Sequence, residues 1–146
     1  MGNGTIRVQF ADGSEQTYET GTQLRNIAEA RQPLHTSLIV AASVNNTLTD
    51  LQSRLETDAE VDFFDLSSVR GVKVYERSLT FVLLVAAERL FPGKDIVVEH
   101  SFGSGVYFEW QLDRVLTELD IQLLEQEMER VIQENLPFVR RNLPLA

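Results

Sequence analysis

Cysteine is missing altogether from the 146 residues, so neither a disulfide nor a thiolate metal site can form. Histidine is nearly missing: His35 and His100 are the only two, and a zinc site would have to lean on carboxylates. Positive charge is scarce as well, with 13 Lys and Arg against 22 Asp and Glu, a formal net charge of −9. Such a surface repels phosphate backbones, so RNA binding is disfavoured unless a local patch, for example Arg25, Arg31 and Arg54, overrides the total. No apolar run approaches the ~20 residues that span a bilayer; the longest is Phe81 to Ala87. The N-terminus, MGNGTIRVQF, lacks the basic-then-apolar order of a signal peptide. A soluble cytoplasmic protein without membrane contact is the expectation. Catalytic signatures are absent too. Gly93-Lys94 has no glycine five residues before it and Asp95 where a phosphate loop needs Ser or Thr, and there is no His-Glu-x-x-His pair.

What is present is patterned. Ile6, Val8 and Phe10 alternate with polar residues, which predicts a strand with one buried face. Asp12-Gly13 predicts a turn, and a second strand follows through Thr17 and Tyr18. Thr22 is placed to cap a helix through Leu24, Ile27 and Ala28, with Pro33 beyond it. The branched run Leu38 to Val44 predicts a strand, Asn45-Asn46 a hairpin turn, Thr47 to Thr49 a short strand, and Glu60 to Phe64 a last one. Strands around a single helix within about sixty-four residues form a small β-grasp pattern.

Composition shifts at Asp65-Leu-Ser-Ser68, which places a domain boundary between 65 and 66. Ser67 or Ser68 can cap the next helix. Val72, Tyr75, Leu79, Val82, Leu83, Ala86 and Leu90 recur at spacings of three and four, which defines one face. Val74, Arg77, Phe81, Leu84, Val85 and Glu88 fall opposite. With both faces mainly apolar, this helix is expected between two layers. Gly71 within it costs ~1 kcal/mol relative to alanine. A strand at Asp95 to Glu99, a glycine-bearing loop at Ser101 to Gly105 and a strand at Gly105 to Trp110 form a hairpin. Thr117 caps a further helix with a buried line of Leu124, Met128, Val131 and Ile132, closed by Asn135 and Pro137. Phe138 to Arg141 could begin one more strand. A domain ending this way reads either as truncated or as natively frayed.

Two histidines and a loop complete the polar inventory. His35 reads as a solvated loop residue. His100 lies beside the glycine loop, where a structural hydrogen bond outweighs a pocket role. Gly103-x-Gly105 could offer backbone N–H groups to an anion, and Glu99 and Glu109 flank it, yet turn chemistry and solvated charges are the commoner outcomes.

At this point a resemblance enters. FADGS (10–14), then Thr20-x-Thr22 and a short helix, resembles the TGS domain, a β-grasp module named for three families of RNA- and nucleotide-handling proteins. RSLTFVLLVAAERLFP (77–92), SGVYFE (104–109) and LDRVLTELD (112–120) look like the N-terminal editing-domain region of threonyl-tRNA synthetase. The implied fold is α+β: a TGS-like β-grasp domain over 1–65, then a truncated synthetase-editing-like module over 66–146. The family carries His-x-x-x-His where this chain has Arg77 and Phe81, and its later cysteine-and-histidine pair has no counterpart here. Arginine has no acceptor and stays protonated, and phenylalanine cannot coordinate. The resemblance therefore implies no catalytic residue, metal or cofactor in this chain. YERS (75–78) and VVEHS (97–101) in the same frame are similar to the N-terminal region of bacterial uridine-kinase-like proteins. That similarity implies a non-catalytic regulatory or ligand-binding region, with a C-terminal kinase domain of the same polypeptide that would use ATP and magnesium. A degenerate aminoacyl-tRNA editing or RNA-binding module is the alternative. Arg77, Phe81, His100, Ser104, Tyr107 and Glu109 are the candidates for lining a pocket for a small anion or nucleotide. For Arg77 two readings stand: a buried strut paired with Glu99 or Glu109, or a clamp for a ligand carboxylate or phosphate.

Overall fold

A computed structural model describes residues 4–102 and 105–144, with the side chains of 100–102 excepted. The chain divides into two units, 1–77 and 78–146, and the division falls inside one helix.

The first unit is built on strands β1 (Thr5–Phe10), β2 (Glu15–Glu19), β4 (Ile39–Val44), β5 (Thr47–Thr49) and β7 (Ala59–Asp65). They form one sheet in the order β2-β1-β7-β4-β5. β1 runs antiparallel to β2 and parallel to β7, while β4 is antiparallel to both β7 and β5. This order and the helix α1 (Leu24–Arg31) are compatible with the expected β-grasp. The alternation in β1 is realised: Ile6, Val8 and Phe10 are buried and their neighbours exposed. They meet Leu24, Ile27 and Ala28 from α1, Ile39 and Ala42 from β4, and Val61 and Phe63 from β7 in one core. Asn45 and Asn46 adopt φ of 48° and 65°, as the tight turn between β4 and β5 requires.

One detail departs from expectation. Thr22 does not cap α1. It lies in β3 (Thr22–Gln23), which pairs with β6 (Arg54–Leu55), and its hydroxyl donates to the Glu19 carbonyl at 2.7 Å. The free N–H groups that begin α1 are met by backbone instead. Leu24 N donates to Ser53 O at 2.9 Å and Arg25 N to Leu51 O at 2.7 Å.

Helix α2 (Val69–Leu90) starts as expected at Ser68, whose hydroxyl accepts from Gly71 N at 3.0 Å. It then runs through the division between the units. Only part of its apolar surface is buried. Leu83, Ala86 and Ala87 are buried, whereas Phe81 is 58% exposed and Tyr75, Leu79 and Leu84 are exposed too. The expected burial on both sides is therefore not found.

The second unit adds β8 (Ile96–Phe102), β9 (Gly105–Trp110) and α3 (Glu118–Gln133). β8 and β9 form an antiparallel pair with an irregularity between Val98 and His100, so Ser101 and Phe102 belong to the strand rather than to a loop. Leu83, Ala86 and Ala87 pack with Leu124 and Val131 of α3, and with the partly buried Ile96, Phe108, Trp110 and Met128. Ile132, expected on that line, is exposed, and Glu127 is buried in its stead. Glu127 survives burial because Arg89 and Arg130 reach it at 3.3 and 3.1 Å. Arg89 also forks onto both Glu134 oxygens at 2.7 and 2.8 Å, which raises its pKa and lowers that of Glu134. Thr117 and Asp120 form a reciprocal capping box, and Arg114 grips both Asp120 oxygens at 2.6 and 2.7 Å. Phe138 to Arg141 does not form a strand; that segment has no regular secondary structure and is exposed.

Candidate functional site

Of the six candidates, Arg77, Phe81, Tyr107 and Glu109 have described side chains, the first in one unit and the other three in the second. Tyr107 and Glu109 share a face of β9, being two residues apart, and the tyrosine hydroxyl donates to Glu109 Oε1 at 3.3 Å. Phe108 and Trp110 take the opposite face, toward the core. The carboxylate of Glu109, and secondarily its hydrogen bond, raises the Tyr107 pKa, with a further contribution from Glu99. Tyr107 therefore stays protonated at neutral pH and acts as a donor. Phe81 makes an edge-to-face contact with Phe138 at 5.8 Å, so its ring serves aromatic packing. The backbone of His100 pairs in register with Tyr107. Its side chain, and the whole of Ser104, lie outside the described residues.

Arg77 is exposed on α2. The burial expected of it is therefore not found, an apolar helix surface having been equated with a buried one, and its two expected partners, Glu99 and Glu109, belong to the other unit. Arg77 instead continues a spacing that the sequence displays but that the apolar pattern obscured. Arg70, Lys73 and Arg77 stand three and four residues apart and are all exposed, forming a basic stripe on the first half of α2. Arg70 also lies over the Phe64 ring at 5.1 Å. In the other basic grouping weighed from sequence, Arg25 approaches Glu29 at 3.9 Å and Arg54 Nη1 donates to Gly21 O at 2.8 Å. Arg31 stacks on Phe10 at 3.7 Å and pairs with Asp12 at 2.5 Å, which commits it to the fold.

A second cluster escaped the sequence reading. Asp65, buried at the end of β7, accepts from Ser67 N at 2.9 Å and Ser67 Oγ at 2.5 Å through Oδ1, and contacts His35 Nδ1 at 3.0 Å through Oδ2. Its carbonyl accepts from Ser68 N and Ser68 Oγ. His35 is therefore a structural partner rather than a solvated loop residue. The Asp-x-Ser-Ser spacing is readable as a helix start, but nothing local links it to a histidine thirty residues earlier. The hydroxyl of Ser67 is the main cause that holds the Asp65 carboxyl down at about 2, against the opposing effect of burial and with help from His35. Asp12 is likewise lowered to about 2, chiefly by Ser14. For both, the folded pKa lies below the unfolded one, so the folded state binds fewer protons between them. Their stabilisation is full above the ordinary value of 3.8 and disappears as pH falls through about 2. Calorimetry should accordingly show a melting temperature that drops across pH 4 to 2, with a shallower drop in Asp65→Asn.

On the open face of the sheet lies a cleft of about 300 Å³. Arg7, Glu15, Asp58 and Glu60 contribute its charges, and Arg7 already approaches Asp58 at 3.6 Å and Glu15 at 3.9 Å. With three carboxylates around one engaged cation, it repels phosphate. Among the described residues, no group of three or more His, Asp and Glu side chains is arranged to hold a metal ion, and no helix is long and apolar enough to cross a membrane.

No protein-family model matches the chain. Individual proteins do. It is 29% identical over 138 residues to a threonine–tRNA ligase of Syntrophomonas wolfei, covering 94% of this chain and 22% of that protein. It is 32% identical over 142 residues to the threonine–tRNA ligase of Thermotoga neapolitana, covering 94% and 22%. It is 30% identical over 135 residues to threonine–tRNA ligase 2 of Bacillus subtilis, covering 92% and 21%. The chain thus spans about a fifth of the length of the curated relatives it matches, and the similarity is to their N-terminal, TGS-like region. The fold is mixed α+β, and the chain is similar to threonine–tRNA ligases. The uridine-kinase parent expected from YERS and VVEHS finds no support in these relatives.

Proposed function

We propose that this chain is a degenerate synthetase-like module, a TGS-like β-grasp domain followed by an editing-like unit, that binds tRNA without hydrolysing an aminoacyl bond. The observation that carries the reading is similarity to threonine–tRNA ligases along 94% of the chain, through both units. The loss of chemistry rests on Arg77 and Phe81 standing where the resemblance places two imidazoles. Neither side chain can act as a base or hold a metal at neutral pH.

Contact with RNA falls to the α2 stripe. Arg70, Lys73 and Arg77 present three cations on one side of a helix, in a molecule otherwise acidic. Neutralising about three phosphates makes binding weaken by roughly forty-fold between ~50 and ~200 mM salt. Titration of the purified chain with tRNA should show this dependence, and the double variant Arg70→Glu, Lys73→Glu should flatten it. Affinity that ignores both salt and the double substitution would remove the reading. Release of the amino acid from a mischarged tRNA by the purified chain would show that hydrolytic chemistry has been retained.

A further inference from the structure

We infer that Asp65 is a latch that makes the opening of the 32–39 segment and the fraying of the first turn of α2 a single event. The carboxylate is buried and its two oxygens serve different parts of the chain. Oδ2 faces His35 Nδ1 at 3.0 Å, in the segment that follows α1. Oδ1 takes the N–H and the hydroxyl of Ser67, at the entry to α2. The same residue's carbonyl holds Ser68, and the Ser68 hydroxyl in turn accepts the Gly71 N–H at 3.0 Å. A set of hydrogen bonds joined through the covalent frame of Asp65 therefore links His35 to Ser68 and Gly71.

The 32–39 segment is tied down at its other end as well. The Gln32 side chain donates to Ser37 O at 2.9 Å and accepts from Ile39 N at 3.0 Å. The Leu66 N–H donates to Leu38 O at 3.2 Å, a second bond between the same two segments. A buried carboxylate that loses one donor is left partly unsatisfied, and the cost is felt by all groups that share it. Loss of the His35 contact should thus loosen not only its own loop but also the start of α2. That turn carries Arg70, so the latch holds the beginning of the basic stripe in helical geometry.

Native-state hydrogen exchange on the whole chain tests this. In His35→Ala, the amides of Gly71 and Val72 should exchange faster by on the order of tenfold, together with Leu66 and Ile39, while Val8 and Val61 in the sheet keep their rates. His35→Gln, which can still donate to Asp65, should restore much of the protection. Asp65→Asn should accelerate the same set further. His35 is partly exposed, so its removal leaves the fold intact even if Asp65→Asn unfolds. Faster exchange confined to 32–39, with Gly71 and Val72 at the wild-type rate, would overturn the latch, as would a uniform acceleration that includes Val8 and Val61.

Discussion

Gly71→Ala will lower the stability of the chain by about 3 kcal/mol, at the upper end of what overpacking costs. Helix propensity alone gives the opposite sign, since alanine is favoured over glycine by ~1 kcal/mol in a helix interior. The geometry decides between them. A Cβ built on Gly71 would lie 1.9 Å from the carbonyl oxygen of Asp65 and 2.7 Å from its carbonyl carbon. Both are backbone atoms, so no rotamer change relieves the clash. That oxygen also accepts from Ser68, so moving it disrupts the cap of α2 at the same time. Urea denaturation followed by far-ultraviolet circular dichroism should show a lowered midpoint. An unchanged or raised midpoint would mean that the first turn of α2 does not approach β7 in this way.

Leu24→Ala is expected to cost about 2–5 kcal/mol, a large share of the ~5–15 kcal/mol that holds a typical domain folded. Leu24 is 0% exposed at the start of α1, within the core that joins α1 to the sheet. Because α1 begins on borrowed backbone acceptors at Ser53 and Leu51, the helix end cannot slide to fill the space left behind. Trp110, the single tryptophan, lies in the second unit. Circular dichroism should therefore detect the first unit's loss, while tryptophan fluorescence reports whether the second unit stays folded. A loss of stability below about 1 kcal/mol would place Leu24 outside the core.

The strands of the first unit were legible because alternation, Asn45-Asn46 and Asp12-Gly13 are local signals, and local signals dominate where one face of a sheet is buried. Ser68 and Thr117 were legible as caps for the same reason. β3 and β6 were not, since two residues carry no period; their pairing follows from the tertiary fold. Thr22 was misread because a threonine before a helix has two uses for its hydroxyl, and the nearby Glu19 carbonyl won. Around α2 the sequence misled more seriously. Apolar residues on all sides were equated with burial on all sides, and the exposed Arg70, Lys73 and Arg77 stripe was passed over. Asp65 and His35 could not have been joined from sequence, because their contact, thirty residues apart, is a product of the tertiary fold. Of the pocket candidates, Tyr107 and Glu109 stand together in the described structure, as the two-residue period of β9 requires.

The parallel pairing of β1 with β7 sets an order on biosynthesis. Val8, Gln9 and Phe10 meet Ala59, Glu60 and Val61, partners about fifty residues downstream. While the ribosome is still translating that interval, the β1–β2 hairpin lacks the β7 neighbour of β1 and leaves Ile6, Val8 and Phe10 unburied. Such an intermediate is sticky, and it must wait for a long-range closure that is intrinsically slow. Nascent chains stalled before Asp65 should thus recruit chaperones, and those released after it should not.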